Sequence, residues 1–310
     1  MNAPRTRVQR RPVHGVLLLD KPLGLSSNDA LQKTKWLLRA EKAGYTGTLD
    51  PMATGVLPLC FGAATKFSQL HLEADKTYEA TAKLGVKTST GDSEGEVIET
   101  RPVPEAIDLE GLAKRFRGPQ RQVPPMHSAL KKGGKALYEY ARAGEEIDRA
   151  AHDIVVHSLA LERIASDAIR FVAKVSKGTY IRTLGEDMGE AIGCGAHLTS
   201  LRRVATGPFG IGECVTLDAL EAMDERQRLA CLRPVEALLP GHTRVTLGGD
   251  DAGRFLSGVR RRGAWPDSEH VAVFAPHNEL LGTARIKAGE LIPGRLLAPT
   301  EIKQILERTT

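Results

Sequence analysis

The residues best placed for chemistry lie in one loop, Gly44-Tyr45-Thr46-Gly47-Thr48-Leu49-Asp50-Pro51, continued by Met52-Ala53-Thr54-Gly55-Val56-Leu57-Pro58. Two glycines, two threonines and a proline surround a single carboxylate, Asp50. Gly44 and Gly47 allow backbone angles closed to other residues, and Pro51 biases Asp50 toward an extended conformation. Such a loop holds one acid in a fixed pose, as a carboxylate nucleophile requires. Taken alone, the same residues also spell an Asp that closes a turn through its own backbone hydrogen bonds. A second stretch has a different chemistry. Gln122-Val123-Pro124-Pro125-Met126-His127-Ser128-Ala129-Leu130 leads into Lys131-Lys132-Gly133-Gly134-Lys135 and on through Tyr138, Tyr140 and Arg142. Flexible glycines, clustered lysines and paired tyrosines suit a grip on RNA, with charge for phosphates and rings for bases. A solvated lysine-rich hairpin would read the same way.

The longer string decides for the acid. Gly44-x-Thr46-Gly47-x-Leu49-Asp50-Pro51-x-Ala53-Thr54-Gly55-x-Leu57-Pro58, followed by Gly62-Ala63-Ala64-Thr65-Lys66, resembles the catalytic motif of the tRNA pseudouridine-55 synthase (TruB) family. Asp20-Lys21-Pro22-Leu23-Gly24-Leu25-Ser26-Ser27 resembles the family's first motif, with Ser26 in place of Thr. Ser176 to Leu184 and Gly195 to Arg203 resemble further motifs. The resemblance is strong over about residues 13–217 and weak beyond.

It implies conversion of a uridine to pseudouridine at position 55, in the TΨC arm of tRNA. That reaction breaks a glycosidic bond, turns the base over and rejoins it through carbon. It needs neither redox nor energy input, so no cofactor and no metal are expected. The resemblance gives Asp50 the nucleophile's role and Arg182, in Tyr-x-Arg, the active-site arginine's. A guanidinium there favours the ionised acid and can orient it through two hydrogen bonds. Tyr180, two residues earlier, would share a side with Arg182 on a strand and help move the proton from carbon. Tyr78 resembles the base-stacking tyrosine, Leu201 the apolar wall, and Lys21 a support of the active-site floor. Lys131 and Lys132 fall in what resembles an RNA-gripping insertion, about residues 122–150, although His127 stands where the family commonly has Tyr. The target base must be flipped out of its stack. The family fills the gap with a His, and this chain has Tyr45 there, whose ring can still stack.

These residues need elements to hold them. Gly15 to Leu19 reads as a buried strand, and a helix follows, capped by Ser27 or Asn28, with Ala30, Leu31, Thr34, Leu37 and Leu38 on one face. Tyr78, Ala80, Ala82, Leu84 and Val86 alternate along a half-buried strand from Thr77 to Val86. The turn from Thr88 to Gly95 reads as a plain connection. Leu109 to Phe116 marks a helix, and Ile154 to Leu161 and Ile169 to Val175 mark strands. A helix then runs to Gly193, and another from Leu217 to Leu232.

At 310 residues, with 41% hydrophobic and 26% charged residues, the chain is an ordinary folded protein. Its net charge of +5 suits a polyanionic partner. Cys60, Cys194, Cys214 and Cys231 lack Cys-x-x-Cys spacing, which points to reduced thiols in the cytoplasm. No apolar run spans a bilayer, and Arg5, Arg7, Arg10 and Arg11 precede no apolar core. The expected organisation is a basic disordered tail over residues 1–12, an α+β catalytic domain over 13–239 with a mixed, mostly antiparallel sheet, and a small β-rich PUA-like domain over 240–310. A monomer with no obligatory protein partner is expected. The runners-up are a pseudouridine synthase with another RNA target and a non-catalytic RNA-binding or tRNA-folding protein. The latter has no need of Asp50, Arg182 and Tyr180 together.

Overall fold

Val16-Leu17-Leu18-Leu19 is apolar on both faces, and both are buried: strand β1 (Gly15–Lys21) lies inside a ten-stranded sheet. The computed structural model describes residues 9–309, so Arg5 and Arg7 of the expected tail lie outside the described residues. The end of that tail is part of the fold. Arg11 bridges to Ala40, donating its N–H to the Arg39 carbonyl at 2.9 Å, and its side chain pairs with Glu225.

After β1 come helix α1 (Ser27–Leu37), β2 (Ala43–Tyr45), β3 (Ala53–Phe61), β4 (Lys76–Leu84) and a hairpin of β5 (Val86–Thr88) and β6 (Val97–Thr100). Helix α2 (Leu109–Phe116) and β7 (Gly118–Gln122) precede the long pair β8 (His152–Ala165) and β9 (Ala168–Val175). Helix α3 (Ile181–Ile192), β10 (Ala196–Thr206) and β11 (Val215–Thr216) follow. The sheet order is β11-β1-β3-β10-β4-β9-β8-β7, with β2 also on β3 and the two-residue strand Phe209–Gly210 on β10. Its neighbours are antiparallel except β1 with β11 and β3 with β10.

The alternation in sequence decides which face is covered. Tyr78, Ala80, Ala82 and Leu84 on β4 and Ile169, Phe171, Ala173 and Val175 on β9 are buried, while Glu79, Lys83, Arg170 and Lys174 point out. The buried set packs with Leu31 and Leu37 of α1, Leu112 and Phe116 of α2, and Leu184 and Met188 of α3. Each such side chain contributes about 1.5–3 kcal/mol on leaving water.

Two local expectations change. The cap of α1 is Ser26, which accepts from the Asp29 N–H at 3.1 Å, and this frees Ser27 for another task. The helix expected over Leu217 to Leu232 is two helices, Leu217–Ala222 and Glu225–Ala230. Asp224 restarts the second through a capping box, accepting from the Gln227 N–H at 2.8 Å while the Gln227 amide oxygen accepts from the Asp224 N–H at 2.9 Å.

A second sheet holds β12 (Thr243–Thr246), β13 (Arg261–Arg262), β14 (Ser268–Phe274), β15 (Leu280–Lys287) and β16 (Glu290–Leu296), in the order β12-β14-β15-β16-β13. Helices Gly249–Leu256 and Pro299–Thr309 accompany it. It shares an apolar cluster with the outer face of the first sheet: Val16, Leu18, Val56 and Phe67 meet Ala272, Phe274, Leu280 and Leu297. Lys66 reinforces the join, donating to Glu301 at 2.6 Å and to the Leu296 carbonyl at 3.0 Å. The basic run Arg260-Arg261-Arg262 is paired locally, Arg260 and Arg262 with Glu290 and Arg261 with Asp251.

The parallel pairing of β3 with β10 passes through one glycine. Gly55 sits opposite Arg203 with φ +103°, and a Cβ there would stand 2.2 Å from the Arg203 carbonyl oxygen. Gly55→Ala should therefore lose at least about 2 kcal/mol, from a strained backbone and a forced shift together. A urea midpoint unchanged from the parent's would contradict this contact.

Candidate active site

Asp50 stands in the loop between β2 and β3, and the first motif holds that loop from below. Ser27, released from capping, donates its hydroxyl to the Leu49 carbonyl at 2.9 Å and accepts from the Leu49 N–H at 2.8 Å. Lys21 is fully buried, and its ammonium donates to the carbonyls of Pro22 (2.9 Å), Leu25 (2.6 Å) and Pro51 (3.4 Å). Burial lowers its pKa to about 8, against the pull of Asp50 and Glu94. The loop is thus fixed on both sides of Asp50, by two short hydrogen bonds at Leu49 and a longer one at Pro51. Of the two glycines expected to supply unusual backbone angles, only Gly47 does, with φ +69°; Gly44 is an ordinary strand residue opposite Cys60.

Arg182 meets the acid from α3. Its Nε donates to Asp50 Oδ2 at 2.9 Å, and its side chain is 4% exposed. The expected pair of hydrogen bonds to Asp50 is a single one. Nη1 donates instead to the Thr90 carbonyl at 2.8 Å and Nη2 to the His127 carbonyl at 2.6 Å. A guanidinium has five N–H donors in a rigid fork, so spending them on three segments fixes its position more firmly than a fork onto one carboxylate would.

A second acid lies behind the first. Asp92 Oδ2 is 3.7 Å from Arg182 Nε, and the Asp92 side chain is 4% exposed. Its Oδ1 accepts from the Thr90 hydroxyl at 2.6 Å and the Glu94 N–H at 3.0 Å. The turn from Thr88 to Gly95, expected to be a plain connection, therefore supplies both a carbonyl and a charge to the site. The sequence signal was an Asp in a small polar turn. That is ordinary turn chemistry, and Asp92 performs it too.

Burial in the cleft raises the pKa of Asp50, and Asp92 pushes the same way, while Arg182 and Lys21 oppose. The side chain nonetheless keeps 36% of its surface open, so solvent still reaches one face of the carboxylate. Glu94, exposed above it, is also raised, by burial and then by Asp92 and Asp50. His127 is lowered by burial and by Arg182.

The other sequence-derived residues divide. Tyr78 and Leu201 are buried on neighbouring strands β4 and β10, with Leu201 in register with both Ala80 and Ala53. Tyr45 is half-buried at the end of β2, opposite Leu59. Tyr180 does not continue a strand; it is the N-cap residue of α3. Its backbone bonds to the Gln122 side chain at 2.8 and 3.0 Å, and its ring meets His152 edge-on. Tyr180 therefore stands at a helix start, in extended backbone, and not on the strand that the sequence suggested. Lys131 and Lys132 are exposed on a short hairpin beyond His127, with Lys132 donating to the Asp148 carbonyl. Beside them Lys135 lies over the Tyr140 ring at 4.5 Å and Arg142 over Tyr138 at 5.4 Å.

Arg182→Met would leave two carboxylates facing each other without their cation. The expected loss is about 2–3 kcal/mol at neutral pH, below the usual figure for a broken buried pair because solvent reaches Asp50. The folded pKa of Asp50, already raised, would rise further. The loss should therefore be complete above that pKa and shrink as pH falls through it. Urea melts of variant and parent at pH 7.5 and 5 check this; a penalty independent of pH would contradict it.

Residues 35–181 match the TruB family pseudouridylate synthase (N terminal domain), and residues 182–240 the tRNA pseudouridylate synthase B C-terminal domain. The tRNA pseudouridine synthase B of Verminephrobacter eiseniae is 61% identical over 313 residues, 98% of this chain and 95% of the relative. That of Ralstonia nicotianae is 56% identical, over 93% and 95%. Among solved structures, a chain of a Cbf5-Nop10-Gar1 complex is 26% identical with a TM-score of 0.69, covering 93% of this chain and 87% of that one. A chain of an H/ACA RNP bound to a substrate RNA is 23% identical with a TM-score of 0.68, covering 93% and 86%, a likeness of fold.

Proposed function

The chain belongs to the TruB family of pseudouridylate synthases, and from that premise we propose that it isomerises uridine to pseudouridine at position 55, in the TΨC arm of tRNA, with Asp50 as nucleophile. The observation that carries the reading is the 2.9 Å contact between Arg182 Nε and an Asp50 carboxylate that keeps an open face.

The chemistry balances without a co-reactant. The Asp50 oxygen forms a bond to the substrate, the C1′–N1 bond breaks, and the base turns so that C5 faces C1′. The new C5–C1′ bond forms, Asp50 leaves, C5 loses a proton and N1 gains one. The overall balance is the same whether Asp50 attacks the base or the route is glycal-type, with a proton taken from the sugar and returned to it. Arg182 keeps Asp50 ionised and aimed, against the burial that would protonate it. Tyr180, at the start of α3, helps pass the C5 proton to solvent.

The uridine is flipped at a cost of a few kcal/mol. Tyr78 stacks on the flipped ring, Leu201 forms the apolar wall beside it, and Tyr45 fills the vacated space. Lys21 keeps the loop at its height through the Pro51 carbonyl. Lys131, Lys132 and the tyrosine–cation pairs of residues 122–150 grip the RNA backbone and bases, helped by a net charge of +5. The second sheet, over residues 240–310, acts as a PUA-like RNA-binding domain. The enzyme works in the cytoplasm as a monomer, with no obligatory protein partner. Pseudouridine mapped in unmodified tRNA after incubation with the purified chain alone tests substrate, position and independence together.

Asp50→Asn should abolish turnover and hold RNA affinity within a few fold. Removing a nucleophile costs at least about 7 kcal/mol of barrier, about five powers of ten. A variant keeping a tenth of the parent's single-turnover rate would sink the assignment. In the parent, the rate should fall on acidification through a pKa above the ordinary 3.8 of Asp, because only the ionised form attacks. A rate flat down to pH 4 would contradict this.

Tyr45→Phe should keep most activity, and Tyr45→His should be nearly neutral, because a stacking face survives in both. Tyr45→Ala should lose about 1–3 kcal/mol in the binding and flipping steps. If Phe proves as damaging as Ala, the hydroxyl is the working part and the stacking account is wrong.

A further inference from the structure

Two adjacent arginines on β10 have opposite surroundings. Arg202 reaches a carboxylate, its Nη1 and Nη2 donating to Asp20 at 3.0 and 2.7 Å. Arg203 is 1% exposed, and among the described residues no carboxylate lies within ion-pairing distance of it. Its donors go to backbone: Nε to the Val56 carbonyl at 2.8 Å and Nη2 to the Gly47 carbonyl at 2.9 Å. A guanidinium buried against carbonyls alone is an expensive arrangement, since no opposite charge offsets its lost hydration. Its field reaches its neighbours. After burial itself, Arg203 helps lower Lys21 and Lys76 to about 8 and His71 to about 4.

The placement of its two carbonyls gives this cation a use. Gly47 precedes Asp50 and Val56 follows it, so one side chain ties both ends of the loop that carries the acid. Gly47, at φ +69°, has no Cβ where one would stand 3.2 Å from Nη1, which leaves room for the guanidinium beside the backbone. Gly55 does the same for the Arg203 main chain. Gly47 and Gly55 thus make room for one residue more than 140 positions away in the sequence.

We propose that Arg203 is a positioning residue for Asp50, locking the loop from Gly47 to Val56 so that the carboxylate meets both Arg182 and the target ring. This rests on the reading of Asp50 as the nucleophile. A lysine keeps the charge but lacks the rigid fork that spans two carbonyls. The other groups facing Asp50 are Arg182, Asp92, Lys21 and Glu94; all four remain in the variants, and Lys21 alone among them feels Arg203, which lowers it.

The test compares the full chain with Arg203→Lys and Arg203→Met, using an unmodified TΨC stem-loop. Melting temperature, stem-loop Kd and the single-turnover rate from pH 4 to 9 are measured. A misplaced nucleophile should lower the rate of Arg203→Lys by about a hundredfold per folded molecule. Stem-loop Kd should stay within about threefold, so that the loss lies in the chemical step. The acid limb of the rate profile should move to higher pH, because an Asp50 less firmly held by Arg182 is more easily protonated. Arg203→Met should lose at least as much; if it does not fold, Arg203→Lys decides. Rates within about threefold of the parent, or an unmoved acid limb, would overturn the proposal and leave Arg203 a stabilising residue only. A parent that forms no pseudouridine would overturn the functional reading, and this proposal with it, before any variant is compared.

Discussion

A single buried cation, the Arg182 guanidinium, is the constraint on which the site depends. It donates to Asp50, to the carbonyl of Thr90 and to the carbonyl of His127, so three distant segments are held to one planar group. Two opposite demands meet there. The acid must be sheltered enough to lie against a base, and shelter favours its neutral form. The guanidinium offsets that tendency without filling the open face, because it approaches edge-on through Nε alone. Asp92 in turn balances the charge of Arg182 at 3.7 Å, far enough not to compete for the same donor.

The scaffold repeats this principle of fixing a group through backbone carbonyls. Lys21, Arg182 and Arg203 are all buried, and each spends donors on main-chain oxygens near Asp50 or on the segments facing it. Carbonyls neither titrate nor swing. Cations bonded to them hold their places whatever the protonation state of Asp50.

Much of this was legible in the sequence because it is local. The alternation on β4 and β9 named the buried face, the motif named Asp50 and Arg182, and Leu109–Phe116 carried its own helix pattern. What escaped depends on long-range approach. Asp92 reads as a turn residue until α3 brings Arg182 to it. Arg203 reads like Arg202 until the parallel pairing turns one toward Asp20 and the other inward. Tyr180 was misplaced because strand β9 ends at Val175 and the helix begins at Ile181, which changes the side-chain period between them. The shift of the α1 cap to Ser26 followed from Ser27 having a better partner in Leu49.

The cluster joining the two sheets has a consequence for biogenesis. Val16, Leu18 and Val56 are made early, with Ala63, Ala64 and Phe67 close behind, but Phe209, Val235 and Leu238 follow much later and Ala272, Phe274, Leu280 and Leu297 only near the end of the chain. At about 5–20 residues per second, the outer face of β1 and β3 waits for tens of seconds on the ribosome before its cover is complete. Contacts so distant in sequence also form slowly after release, because a long loop must close before they repay its entropy. During that interval an apolar sheet face is open to other chains. The nascent chain is thus the form in which this apolar face is least covered.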